Sequence, residues 1–478
     1  MHIESNVHRL LTAVLAMAPL AAQALPGAEV PAPRWHSWVQ GEPVVIGGEP
    51  APKCTAFTFC TRRPAAFHDE ADYLRGLQQR FGERGLTVVA VLPDVPEDRA
   101  EIEQLWAGCR VAVDAGGATS ADWLGPEGVA WNTIVLDQRG KVAFAGRPEA
   151  GLVDAIERTL AGKQALDSER WAFSRRAEAL IGYDDIAGDQ IVRQLDELIA
   201  YSPHDGVAHG LLYATQVQKL LAPGAARAVR VKAIEALRAE PRPLAAFADL
   251  VLRCDPHGEG LAAELVVPLT EAAKALPDDT FVRLAHLRAL ILAGQGRGAG
   301  RAAMTMQKQV LRSAENCLDF ASILAGGPDA MVHRDLAQRV LDQAEKLGAD
   351  PRFLTAARYG AAVRCQEDPA AAQKLMDAYL GESEEHGTIN NDCWYLMTEL
   401  ATMGRYDWFA AGLADRMLTQ RDTMQDFEYD TAALALFQVG RAEEAVELQQ
   451  KAIEIGGASA DYQLRLRRYQ AGVPQPPR

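Results

Sequence analysis

Two hydrophobic periods divide the chain. Over Cys54 to Asp94 the apolar residues run continuously, then recur at three- and four-residue intervals, then run continuously again. Cys54 to Phe59 is β-branched and aromatic, which predicts a buried strand. Phe67, Ala71, Leu74, Leu77 and Phe81 share one face at helical spacing, and Gly85 stops that helix. Leu86 to Leu92 then predicts a second buried strand. A strand, a helix and a strand joined by short turns form a parallel crossover unit. Downstream the pattern predicts a helix over 97–106 and a strand over 110–114. A hairpin of 133–136 with 141–145 follows, turning at Asp137-Gln138-Arg139-Gly140. A helix over 149–160 with Leu152, Ile156 and Leu160 on one face completes an α/β unit.

From about 165 to 470 the strand signals stop. Amphipathic helices of roughly 12–18 residues succeed one another, punctuated by Gly and Pro. Two units repeat a pattern. Trp394-Tyr395-Leu396 leads to Met403-Gly404-Arg405-Tyr406, and Tyr429 with Ala432-Ala433 leads to Val439-Gly440-Arg441-Ala442, then Ala445 and Ala452. The two Gly-Arg turns stand 36 residues apart. This resembles tetratricopeptide repeats, in which small residues let paired helices approach. The second unit matches well, whereas the first carries Phe409 where a small residue is expected. Residues 165–470 have room for roughly nine 34-residue units. An irregular helical bundle is the alternative. A solenoid of this kind offers a concave surface for a protein or peptide partner.

The α/β stretch resembles the opening of an extracytoplasmic thioredoxin-like thiol-disulfide reductase of the TlpA-like branch. In that family a Phe-Trp-Ala-x-Trp-like strand end precedes Cys-x-x-Cys at the helix start. An ungapped comparison puts Arg63 at the second Trp, and Pro64-Ala65-Ala66-Phe67 where Cys-x-x-Cys belongs. Trp35 to Gly47 offers a short strand entry similar to the family's N-terminal hairpin, and 129–146 is similar to its Pro-Thr-x-x-x-Ile-Asp-x-x-Gly-Lys hairpin. There Trp131 replaces the proline whose cis peptide faces the cysteines. A cis bond before a non-proline residue costs about 2.5–4 kcal/mol. Pro64, Phe67 and Trp131 are thus degenerate redox-motif positions. The expected fold class is an α/β thioredoxin-like domain (35–163) followed by an all-α helical-repeat, tetratricopeptide-like solenoid (165–470).

Residues 1–24 read as a signal peptide: Arg9, a mostly apolar core over 10–20, and Ala22-Gln23-Ala24 as cleavage signal. That core is too short to span a bilayer, and no other apolar stretch reaches spanning length. Residues 25–34 form a Pro/Ala linker. The expectation is an exported protein, periplasmic or extracellular, without a membrane span. With 49 basic against 64 acidic residues the formal charge is −15. That argues against nucleic acid and anionic membranes as partners.

Export permits disulfides, but seven cysteines leave at least one unpaired in a monomer. Cys54 and Cys60 lie about 20 Å apart along a strand, whereas a bridge needs Cα atoms within about 7 Å. Cys60 with Cys109, from a neighbouring strand end, is the sterically better pair. Cys60 is also the remaining candidate for thiol chemistry. It sits near the carboxyl end of a parallel strand, with Arg62 and Arg63 placed to stabilise a thiolate. Against this, the helix that would activate it begins only near Pro64. His68-Asp69-Glu70 points in three directions about 100° apart on a helix and reads as an acidic first turn rather than a metal site. No phosphate-binding loop, zinc-type pair or HExxH occurs, so no cofactor or metal is expected. Gly294-Gln295-Gly296-Arg297-Gly298 reads as a loop between helices. Two functions remain open: a protein-binding scaffold with a redox-inactive domain, and a thiol-disulfide oxidoreductase acting through Cys60.

Overall fold

A computed structural model describes residues 26–47, 51–60, 66–96, 98–124, 133–163, 188–255, 258, 260–327, 330–381, 386–399 and 401–472. Residues 1–24, read from the sequence as a signal peptide, lie outside them. The chain forms two compact units, one holding all the described strands and one all-helical.

In the α/β unit the order is β1 (Ser37–Gln40), β2 (Cys54–Phe59), α1 (Ala66–Phe81), β3 (Leu86–Leu92), α2 (Arg99–Leu105), β4 (Arg110–Val113), α3 (Ala118–Leu124), β5 (Thr133–Asp137), β6 (Val142–Gly146) and α4 (Leu152–Leu160). The mixed sheet runs β1-β4-β3-β2-β5-β6. β2 pairs in parallel with β3, and β3 with β4, so the expected crossover unit is present. β5 and β6 continue the sheet antiparallel, and β1 closes the other edge antiparallel to β4. All six residues of β2 are buried, as a strand with neighbours on both sides and both faces must be. The Asp137–Gly140 turn forms as composition suggested. Its Asp137 carboxylate accepts from the Arg139 and Lys141 amides, and Gly140 has φ +80°.

The short strand entry expected over Trp35 to Gly47 is present as β1. Two features differ from the expectation. Residues 26–31, read as linker, are held to the sheet: Gly27 N donates to Val142 O, Val142 N to Ala28 O, and Trp123 Nε1 to Pro31 O. The helix α3 carries Trp123 into the core against Phe57, their ring centroids 5.2 Å apart at 86°. An edge-to-face pair of this kind adds about 0.5–1.5 kcal/mol beyond the area it buries.

The helical unit begins with α5 (Gly188–Tyr201). Pairs then follow: α6 (Gly206–Gln218) with α7 (Pro223–Leu237), α8 (Pro241–Cys254) with α9 (Leu261–Ala275), α10 (Thr280–Leu292) with α11 (Gly296–Val310), and α12 (Ala314–Gly326) with α13 (Arg334–Lys346). α14 (Pro351–Ala361), α15 (Pro369–Leu380), α16 (His386–Thr398), α17 (Asp407–Leu418), α18 (Asp426–Gln438), α19 (Ala442–Gly456) and α20 (Ala460–Gly472) complete it. Successive first helices begin at 206, 241, 280, 314 and 351, a recurring two-helix unit of roughly the length seen in helical repeats. α6, α8, α10, α12 and α14 pack side by side as one layer. Starts are set by capping chemistry. The carboxylates of Asp205, Asp279 and Asp368 accept amide hydrogens of the first turn, and Pro241, Pro351 and Pro369 occupy positions where no donor is needed. The glycine-rich stretch at 294 is only partly a loop: Gly294 turns at φ +68° and Gly296 already begins α11.

The expected small positions Ala432, Ala433, Ala445 and Ala452 are fully buried where α18 meets α19. Phe409, at a position where the repeat pattern wants a small side chain, packs edge-on between Tyr359 and Tyr379. Gly412 makes the space, since a Cβ there would lie 2.3 Å from the Tyr359 hydroxyl. The α16–α17 turn also reaches α8 and α10. Arg253 Nη1 donates to Met403 O at 3.0 Å and Arg288 Nη1 to Gly404 O at 3.4 Å. Both arginines pair with Asp249, at 2.8 and 3.3 Å, and Arg288 pairs with Asp319 at 2.9 Å. Burial would raise the Asp249 carboxyl, but Arg253, Arg288 and Arg405 outweigh it and hold it at about 2.

Candidate functional site

Thiol chemistry requires an accessible thiolate and, for exchange, a second sulfur within reach. Cys60 follows β2, and its amide extends the parallel ladder by donating to Val91 O at 2.9 Å. Its side chain is buried, with Sγ 3.8 Å from the Thr58 carbonyl of its own strand. Among the acids at this end of the sheet is Asp114, just past β4. Its carboxylate is taken up in capping α3, accepting from Thr119 N, Ser120 N and Ser120 Oγ at 2.6–2.9 Å. It is therefore engaged as a cap rather than presented as a base.

All seven cysteines are buried thiols, so the Cys60–Cys109 bridge is not formed. The register explains why. Phe59 is level with Val91 and Ala112, so Cys60 is level with Val113, four residues beyond Cys109. Two strand spacings of about 4.8 Å and four residues of about 3.3 Å each separate them. Parallel strands put the two thiols at opposite ends of the sheet. Burial, with Asp137 adding, pushes Cys54 to about 12, and burial does the same to Cys109.

Arg62, Arg63, Pro64 and Trp131 lie outside the described residues. Phe67, His68, Asp69 and Glu70 fall in the first turn of α1, but their side chains lie outside the description as well. Among the described residues no cluster of His, Cys, Asp and Glu is placed to hold a metal ion. Among them, too, no helix is long and apolar enough to cross a membrane.

The helical unit contains a cavity of about 730 Å³ that the sequence did not reveal. Its walls come from α6, the α6–α7 turn, α7, the segment after α8, the start of α9, and α20. Val217, Leu220, Leu221, Pro223 and Leu464 supply apolar surface. Arg227, Arg230, Arg467 and Arg468 supply charge, against the carboxylates of Asp255 and Glu264. Arg227 and Arg230 share a face of α7, being three residues apart. The Arg230 side chain is 6% exposed and holds Glu264 at 2.7 Å. Tyr213 donates its hydroxyl to Asp255 at 2.8 Å, and burial followed by that carboxylate pushes its phenol upward. Arg468 lies over the Phe437 ring at 5.2 Å. Arg227 and Arg467 are exposed and make no ion pair or hydrogen bond among the described residues. Among the lining residues, Leu221 is held at φ +47°, a conformation that costs a non-glycine residue about 1–3 kcal/mol. The one sequence signal for this site is the basic run Arg465-Leu466-Arg467-Arg468 near the end of an acidic chain.

No protein-family model matches the chain, and no curated protein matches it. Among solved structures, a hypothetical protein from Sinorhizobium meliloti 1021 is similar at 20% identity, over 24% of this chain and 73% of that one, with a TM-score of 0.20. An uncharacterized conserved protein from Geobacillus kaustophilus is similar at 20% identity, over 32% of this chain and 87% of that one, with a TM-score of 0.21. Superpositions at that level do not define a fold or a function.

Proposed function

We propose that the chain is an exported protein-binding or scaffold protein. In this reading its α/β unit is a thioredoxin-like domain that has lost thiol-disulfide chemistry, and its helical unit is a tetratricopeptide-like solenoid that binds a protein or peptide. The observation that carries the reading is the state of Cys60. The one thiol at the carboxyl end of β2 is buried and directed at its own strand's carbonyl, with no second sulfur at that end of the sheet among the described residues. Exchange needs an exposed thiolate and a resolving partner.

Supporting it, the parallel β2–β3–β4 core flanked by the β5–β6 hairpin is the arrangement a thioredoxin-like domain requires. The recurring helix pairs with glycine turns at Gly404 and Gly440 are what stacked repeats require. Fold alone does not supply a function, so the test is direct. Purified protein is assayed for reduction of a disulfide substrate with a thiol donor, beside the Cys60→Ser variant. Equal, background-level rates are expected. Turnover abolished by Cys60→Ser would establish the oxidoreductase instead.

A further inference from the structure

We propose that the cavity bounded by α6, α7, α9 and α20 is a binding site for an organic acid: one carboxylate on an apolar body of small-molecule size. The inference does not depend on whether the helical unit also binds a protein.

Volume comes first. About 730 Å³ lies within the range of roughly 300–1,000 Å³ that small-molecule sites occupy. It is large for a structural void in a close-packed protein. The lining then specifies the ligand. Val217, Leu220, Leu221 and Leu464 offer apolar surface, which a purely polar anion would leave unused. The charged groups divide by burial. Arg230 and Glu264 satisfy each other at 2.7 Å, and Tyr213 satisfies Asp255 at 2.8 Å, so these pairs fix the floor. Arg227 and Arg467 face solvent at the rim with no acidic partner among the described residues.

Four arginines around two carboxylates make a positive site in a chain of formal charge −15. A guanidinium fork matches a carboxylate bidentately, and two such forks at one rim favour an anionic head with its apolar tail inward. Leu221, with its strained backbone, belongs to the same lining, and backbone strain of this kind is retained where the surroundings enforce it.

The test uses the full chain and isothermal titration with four probes: dodecanoate below its micelle concentration, dodecanol, acetate, and a peptide of alternating Glu and Leu. Dodecanoate is expected to bind one per chain, at least tenfold more tightly than dodecanol or acetate, and more weakly as salt rises. The double variant Arg227→Glu/Arg467→Glu should weaken dodecanoate at least tenfold. Because both residues are exposed, its thermal midpoint should stay unchanged. The milder pair Arg227→Gln/Arg467→Gln should give an intermediate loss, and it serves if charge reversal disturbs folding. Equal binding of dodecanol and dodecanoate, or dodecanoate binding indifferent to both double variants, would overturn the site. So would a peptide that binds more tightly than dodecanoate, since the occupant would then be a polypeptide.

Discussion

Gly404 and Gly440 are equivalent in sequence, each opening a Gly-Arg turn between helices, yet they should respond very differently to alanine. Both have positive φ, +70° and +85°. An L-residue in that region costs about 1–2 kcal/mol, and at Gly440 that is the whole penalty, because nothing lies within 4 Å of an added Cβ. At Gly404 the added Cβ would stand 2.6 Å from Arg253 Cβ, 2.7 Å from its carbonyl oxygen and 2.8 Å from its Cα. Two of those atoms are backbone in the last turn of α8, so the Gly404 turn must retreat. Retreat lengthens the Arg253–Met403 and Arg288–Gly404 hydrogen bonds. Overpacking of this kind costs about 1–3 kcal/mol more. Urea unfolding followed by far-ultraviolet circular dichroism should therefore give losses of about 1–2 kcal/mol for Gly440→Ala and about 2–5 kcal/mol for Gly404→Ala. Equal losses would refute the claim that the α16–α17 turn is seated against α8.

Two acids tied to the same cluster should give opposite pH signatures. The Asp249 carboxyl, held at about 2, is below its unfolded value, so its contribution is complete above about pH 4 and disappears as pH falls toward 2. Asp249→Asn should cost about 3–5 kcal/mol at neutral pH, because Arg253 and Arg288 stay buried with a weakened partner, and should flatten the acid limb of a stability profile. Asp407 is the reverse. Burial, only partly offset by Arg288, Gly404 and Arg253, raises its carboxyl to about 6, and its Oδ1 has no hydrogen-bond partner. The folded state then binds the proton more tightly, so the cost of this group is absent below about pH 4, grows as pH rises and is complete above about 6. Asp407→Asn should stabilise the protein at pH 7.5 by at most about 3 kcal/mol, with the gain vanishing near pH 4. A gain independent of pH would contradict it.

Where local pattern and tertiary burial agree, the sequence was a sufficient guide. The continuous apolar runs of β2 and β3 could belong only to doubly covered strands, and Ala432 with Ala445 could only mark close helix approach. The misses have a common cause. Helix α3 has only Trp123 and Leu124 as large apolar residues, and its start is capped by Asp114, which lies outside the helix itself. The Asp249–Arg253 pair has the i,i+4 spacing of an exposed surface pair, and α10 and the α16–α17 turn, both distant in sequence, pack against it. The cavity joins Arg227 to Arg467 across 240 residues, and no local period encodes that. The supposed Cys60–Cys109 neighbourhood failed because Cys60 follows β2 whereas Cys109 precedes β4, which puts them at opposite ends of parallel strands.

The central claim concerns a thiol, and its most direct test is alkylation of the natively folded protein across pH 5–9, with modified cysteines located by mass spectrometry. The expected result is that Cys60 stays unmodified until denaturant unfolds the chain, then reacts as an ordinary thiol. Rapid native modification of Cys60 with an apparent pKa below about 7, well under that of an unperturbed thiol, would contradict the account and return the α/β unit to thiol-disulfide chemistry.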